Sequence, residues 1–145
     1  MVQIDAAMEG FRTVMVTALG IEDVYFQDDD FEWTGVQKCV IITWDMVSKP
    51  CGVGGDYLWE FSLILECYFK NGQDPLVNYK TQADIFFEEV LVALSNRDNL
   101  DQFLRRASLK LIGDKNIRSY PFPYDTPGQH KKVITVRGYI HNTQT

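Results

Sequence analysis

Residues 58–69 read LWEFSLILECYF, and this stretch decides the fold. Trp59, Phe61, Leu63, Leu65, Cys67 and Phe69 point one way, while Glu60, Ser62, Ile64, Glu66 and Tyr68 point the other. Only Leu58 breaks the alternation, and Lys70 continues its polar row. A two-residue period is that of a pleated strand with one buried and one wetter face. The strand is about twice the ordinary length of roughly 5–6 residues, long enough to serve both as core and as contact surface.

Upstream, 38–47 (KCVIITWDMV) puts Val40, Ile42, Trp44 and Met46 on one face. The segment between the two strands, Ser48–Tyr57, holds Pro50, Gly52, Gly54 and Gly55, so the strands are natural antiparallel partners in one long hairpin. Its register is constrained. If paired positions sum to an odd number such as 107, Val40 faces Cys67, Ile42 faces Leu65, Trp44 faces Leu63 and Met46 faces Phe61. An even sum would put the two apolar rows on opposite faces, which a half-buried sheet does not tolerate. The odd register also separates Cys39 from Cys67 and argues against a disulfide between them. The glycine-rich tip leads into a strand and lacks GK[ST], so it is no phosphate cradle. It is expected to be a flexible tip that can order against a partner.

Toward the N-terminus, Ile4, Ala7, Met8, Phe11, Val14, Met15, Ala18 and Leu19 form one stripe, which predicts a helix over 4–19 ended by Gly20. A short strand is expected at Val24–Phe26. Asp28, Asp29, Asp30 and Glu32 follow; adjacent like charges favour a solvated loop, and the offsets of a calcium loop are missing. Beyond the hairpin, Asn71-Gly72 signals a turn. Asp74 is then expected to cap a second helix with Pro75 as its first residue, running to about 95. Its stripe would be Leu76, Tyr79, Ala83, Phe86, Phe87, Val90, Leu91 and Leu94. Leu100, Phe103 and Leu104 suggest a helical turn, and 108–112 a strand. Residues 113–131 carry Gly113, Pro121, Pro123, Pro127 and Gly128 and read as a long loop or broken arm. Its aromatics Tyr120, Phe122 and Tyr124 alternate with prolines and read equally as an exposed contact surface or as a loop packed on its own domain. A last strand spans 132–141.

These elements make an α+β fold in one domain, 1–145. The sheet is mostly antiparallel and built on the long hairpin (about 38–69), with two main helices (about 4–19 and 75–95) on one face. The chain has 145 residues, is 46% hydrophobic and carries a net charge of −6. That length and composition suit a single folded core. The acidity excludes a protein that grips nucleic-acid phosphates. No apolar run approaches the ~20 residues that span a bilayer, so no membrane partner is expected. MVQIDAAMEG lacks the features of a signal peptide, so folding in the cytoplasm is expected.

Motifs of catalysis are missing. There is no HExxH, GxSxG or Walker pattern. His130 and His141 have no triad partner in sequence, and Glu88-Glu89 lies on a solvated helix face. Cys39, Cys51 and Cys67 form neither a zinc spacing nor a disulfide framework. No catalytic residue, cofactor or metal is expected, and an enzyme is not.

In its order of elements, the chain resembles the tail terminator proteins of long-tailed bacteriophages, a group with the tail-completion and head–tail joining proteins. The resemblance rests on helix 4–19, the hairpin 38–69 with its glycine-rich tip, helix 75–95 and the C-terminal strands. It implies a structural virion protein made in the host cytoplasm: a homo-oligomer, a hexameric ring that stops the tail tube and presents a surface to the neck. Its partners would be the tail tube protein and a head or neck connector protein, and DNA would pass through an acidic lumen without specific binding. Candidate contacts, taken from the chain itself, are Asp28, Asp29, Asp30 and Glu32; Cys51, Gly52, Val53, Gly54 and Gly55; and Tyr120, Phe122 and Tyr124. The alternative is a monomeric small-molecule-binding or enzymatic α+β domain, with a pocket between the sheet and helix 75–95 lined by Trp44, Trp59, Phe86 and Phe87.

Overall fold

A computed structural model describes residues 2–27, 29, 37–50, 57–95, 100, 104, 109–121 and 128–142. Helix α1 (Val2–Leu19) leads through the short strand β1 (Val24–Phe26) to β2 (Lys38–Pro50) and β3 (Tyr57–Lys70). Helix α2 (Tyr79–Ser95) and the strands β4 (Leu109–Pro121) and β5 (Gln129–Asn142) complete the fold. The five strands form one sheet in the order β1-β2-β3-β5-β4. All neighbours are antiparallel except β1 and β2, which run parallel. The α+β architecture expected from the sequence is the one found.

The hairpin register is the odd one, with Val40 opposite Cys67, Ile42 opposite Leu65 and Met46 opposite Phe61. On that side Phe61, Leu63, Leu65, Cys67 and Phe69 of β3 are all buried. Ile134, Val136 and Ile140 of β5 join them, with Met8, Phe11 and Met15 of α1 and Phe86, Val90 and Leu94 of α2. The core therefore lies between the two helices and one side of the sheet. Phe69 and Phe86 meet across it, ring centroids 6.4 Å apart. Gly20 ends α1 as expected: its φ is 65° and its N–H donates to the Val16 carbonyl at 3.0 Å, the bond of a left-handed helix cap.

Two expectations need correction. The first concerns 113–131, most of which is strand. β4 runs on to Pro121 and pairs with β5, so the arm is the outer half of a second long hairpin. Gly113, Asp114 and Lys115 fall in an irregularity between Ile112 and Asn116. Proline and a bulge are tolerated there because β4 is the edge of the sheet. The second concerns α2, which starts at Tyr79 and not at Pro75. Asp74 does accept a helix-type bond, but from the Leu76 N–H at 3.0 Å, and its carbonyl accepts from Val77 at 3.3 Å. These bonds close a local turn. Asn78 caps the helix instead, its Oδ1 accepting from the Thr81 N–H at 3.3 Å. Leu76, placed by the sequence on the apolar stripe, is 93% exposed.

The difference between the two sheet faces can be measured. Leu65→Ala empties a fully buried site and should cost about 2–5 kcal/mol. Ile64→Ala, on the half-buried opposite face, should cost about 1 kcal/mol or less. Urea unfolding of the two variants decides it; equal losses would contradict the face assignment.

Candidate assembly interface

Of the candidate contact residues, Asp29 and the backbone of Tyr120 are described. Asp28, Asp30, Glu32, Cys51, Gly52, Val53, Gly54, Gly55, Phe122 and Tyr124 lie outside the described residues. The flanking strands nevertheless fix where those segments leave the sheet. The β2–β3 tip starts from the Pro50–Tyr57 pair, at one end. Tyr120 pairs with Val133, which pairs with Glu66. At about 3.3 Å per residue, the Tyr57 and Glu66 levels are about 30 Å apart along β3. Phe26 pairs with Ile42, which pairs with Leu65, so the Asp28–Glu32 segment begins level with Tyr120. It does so beside β1, four strands from β4, or about 19 Å across. The described strand ends from which these segments continue therefore lie at separate stations on the sheet.

Asp29 does more than the sequence suggested. Arg12 of α1 reaches it at 2.8 Å, and the same carboxylate oxygen accepts from the Phe26 N–H at 2.8 Å. The Arg12 guanidinium also lies 4.8 Å from the centre of the Phe26 ring. A carboxylate that looked solvated by its neighbours is thus a tie between α1 and the edge of the sheet. Its partner charge comes from a distant arginine, so no local spacing announces the pair.

The sheet side away from the helices is polar at its rim and apolar at its centre. Ile41, Ile64 and Val133 lie on it, and no helix among the described residues packs there. Tyr68 donates to Glu66 at 2.8 Å, Lys131 lies 3.6 Å from the same carboxylate, and its ammonium is 5.0 Å from the centre of the Tyr68 ring. Burial pushes the Tyr68 hydroxyl above its usual range. Burial works against a charged Lys131, but Tyr68 and Glu66 outweigh it and raise its pKa on balance. At the β1 edge, Tyr25 donates to Asp23 and is pushed up to about 12 by that bond. Cys39 is free, buried and pushed up to about 12 by its burial; Cys67, also free, is raised for the same reason.

Among the described residues, the pocket of the alternative reading does not take its expected form. Phe86 and Phe87 are spent in the core. Beside α2 there is a cavity of about 180 Å³, lined by Gln37, Lys38, Phe69, Gln82, Ile85 and Phe86. That is below the roughly 300–1,000 Å³ of a small-molecule site. Trp44 borders a different, open groove of about 390 Å³ on the β1 side, with Phe26, Gln27, Ile42 and Thr43. Among the described residues, no three His, Cys, Asp or Glu side chains come together to hold a metal.

The fold has a counterpart of known context. It is similar to a chain in the virion of a native gene transfer agent particle. The match has a TM-score of 0.51, covers 94% of this chain and 92% of that one, and has 15% sequence identity. At that identity the likeness is one of fold. No family model and no curated protein matches the chain. Because the match spans nearly the whole of both chains, it includes the helices and the sheet together and not one shared hairpin.

The Asp29 tie carries a measurable consequence. Asp29→Ala leaves Arg12 and the Phe26 N–H without their shared acceptor, and it should cost about 1–2 kcal/mol. Denaturant unfolding of the variant checks this; an unchanged midpoint would show that the tie contributes nothing.

Proposed function

We propose that this chain is a structural virion protein of a phage-like particle, acting as a tail terminator. In this reading, copies form a six-membered ring on the head-proximal end of the tail tube, stop its growth and meet the neck. The observation that carries the reading is the whole-chain fold likeness to a component of a gene transfer agent virion. The spread of the strand ends from which the candidate contact segments continue supports it. A closed ring needs two different surfaces on each copy, one for each neighbour, and further surfaces above and below. A sheet whose described strand ends give off connecting segments at opposite ends and edges suits that demand better than it suits a catalytic centre.

The charge distribution suggests which layer faces the channel. On the exposed side of α2 lie Asp84, Glu88 and Glu89, with Lys80 near the helix start; Asp5 and Glu9 are exposed on α1. The opposite sheet face mixes both signs. An acidic helix layer around the channel would repel phosphates and let a duplex slide without adhering.

Two tests follow. Particles assembled without this chain should carry tails of uncontrolled length that fail to join heads, as seen by electron micrography; normal particles would refute the role. A variant with Asp84, Glu88 and Glu89 all changed to Lys should still yield normal-looking particles, but DNA delivery should fall by about tenfold or more as the channel wall begins to hold phosphates. Unchanged delivery would remove α2 from the channel.

A further inference from the structure

From the sheet face left uncovered by the helices, we infer that the free chain pairs with a second copy of itself, face to face, about a two-fold axis parallel to the strands. The inference is independent of the ring reading and concerns the protein in solution, before it reaches any particle. Its basis is the way charge is laid out on that face. The acidic groups lie on β2 and β3: Asp45, Glu60 and Glu66. The basic groups lie on β5: Lys131 and Arg137. On β4 the residue at the register position beside Thr135 is Arg118. The exceptions are Lys70, at one end of β3, and Lys49 of β2, at the register position beside Leu58; both lie outside the levels from Glu60 to Tyr68. One half of the face is thus acidic, the other basic, and the boundary runs between β3 and β5.

A two-fold axis along that boundary exchanges the halves. It sets β3 of each copy over β5 of the other, at the same level along the strands. Ser62 is paired with Arg137 on one side and Asp45 on the other. The operation therefore brings Arg137 over Ser62 of the second copy, flanked there by that copy's Asp45 and Glu60. Arg137 and Asp45 are both exposed, and neither has an ion-pair partner among the described residues. Lys131 comes over the Tyr68 position, next to Glu66 of the second copy, while Ile64 meets the neighbourhood of Val133 and Thr135. A two-fold axis across the strands would instead set acid against acid. Charge complementarity thus selects one of the two ways in which the face could meet itself.

The area is sufficient for a modest interface. Four strands at about 4.8 Å spacing, over the nine levels from Glu60 to Tyr68, give roughly 500 Å² per copy. The total of about 1,000 Å² is at the lower limit for a specific contact, so a dimer of micromolar strength is expected.

The test is the mass of the full-length protein by analytical ultracentrifugation at low salt across the micromolar range. A concentration-dependent dimer is expected. Arg137→Glu alters an exposed side chain and should weaken it by about tenfold or more, with unchanged circular dichroism. Adding Glu60→Arg and Asp45→Arg to that chain restores the complementarity with signs reversed and should restore the dimer. A wild-type chain that stays monomeric overturns the inference. So does a dimer, or a six-membered ring, that Arg137→Glu leaves intact; the ring outcome would leave the terminator reading standing.

Discussion

The pairing of β2 with β3 at one register is the constraint on which the rest of the structure depends. A shift by one residue would turn Phe61, Leu63, Leu65, Cys67 and Phe69 out of the core and bring Glu60, Ser62, Glu66 and Tyr68 in. Each large apolar side chain so exposed forfeits roughly 1.5–3 kcal/mol, and the buried carboxylates would add to the penalty. The parity of the register is therefore fixed whatever the glycine-rich tip does, and among registers of that parity the strands take the one in which paired positions sum to 107. Every other position follows from it: β5 aligns on β3, β4 on β5, and the helices close over whichever side is apolar.

That dependence explains what could be read in the sequence. The hairpin was legible because its signal is repeated over many residues, and the odd sum of paired positions came from matching two apolar rows. Helix α1 and its glycine cap were legible for the same reason, a long stripe with a clear stop. β4 was not. Gly113, Pro121 and the polar residues between them are punctuation in an isolated stretch, yet an edge strand has one free side on which a missing N–H costs little. Whether a strand is at the edge is a property of the finished sheet, and no window of sequence contains it. The start of α2 failed differently. Asp74-Pro75 has the chemistry of a cap, and so does Asn78; the nearly full exposure of Leu76 shows that the later cap won.

The candidate contact regions illustrate a more general difficulty. A catalytic site leaves a trace in sequence because its chemistry demands certain residue types. A contact surface demands only exposure and complementarity, and both are defined by register. Asp45 and Arg137 are far apart in sequence, yet they flank the same residue, Ser62, from neighbouring strands. Nothing in the local sequence of either predicts that they share a face. Asp29 shows the reverse: it sits in an acidic run that reads as solvent-facing, but it is held by Arg12 from another element.

The two layers also divide the protein's charge. The hairpin core forces alternate residues of β2, β3 and β5 outward, and a sheet face crowded with like charges on adjacent strands would repel itself. The sheet face is consequently mixed, with Glu66 satisfied by Tyr68 and Lys131. On α2, Asp84, Glu88 and Glu89 all face outward, and the Asp84–Glu88 pair, one turn apart, costs only roughly 0.2–0.5 kcal/mol. The net charge of −6 is thus not smeared evenly. Helices α1 and α2 hold −3 of it, from Asp5, Glu9, Asp84, Glu88 and Glu89 against Arg12 and Lys80, which leaves the outward side of the helices acidic and the sheet face of mixed sign.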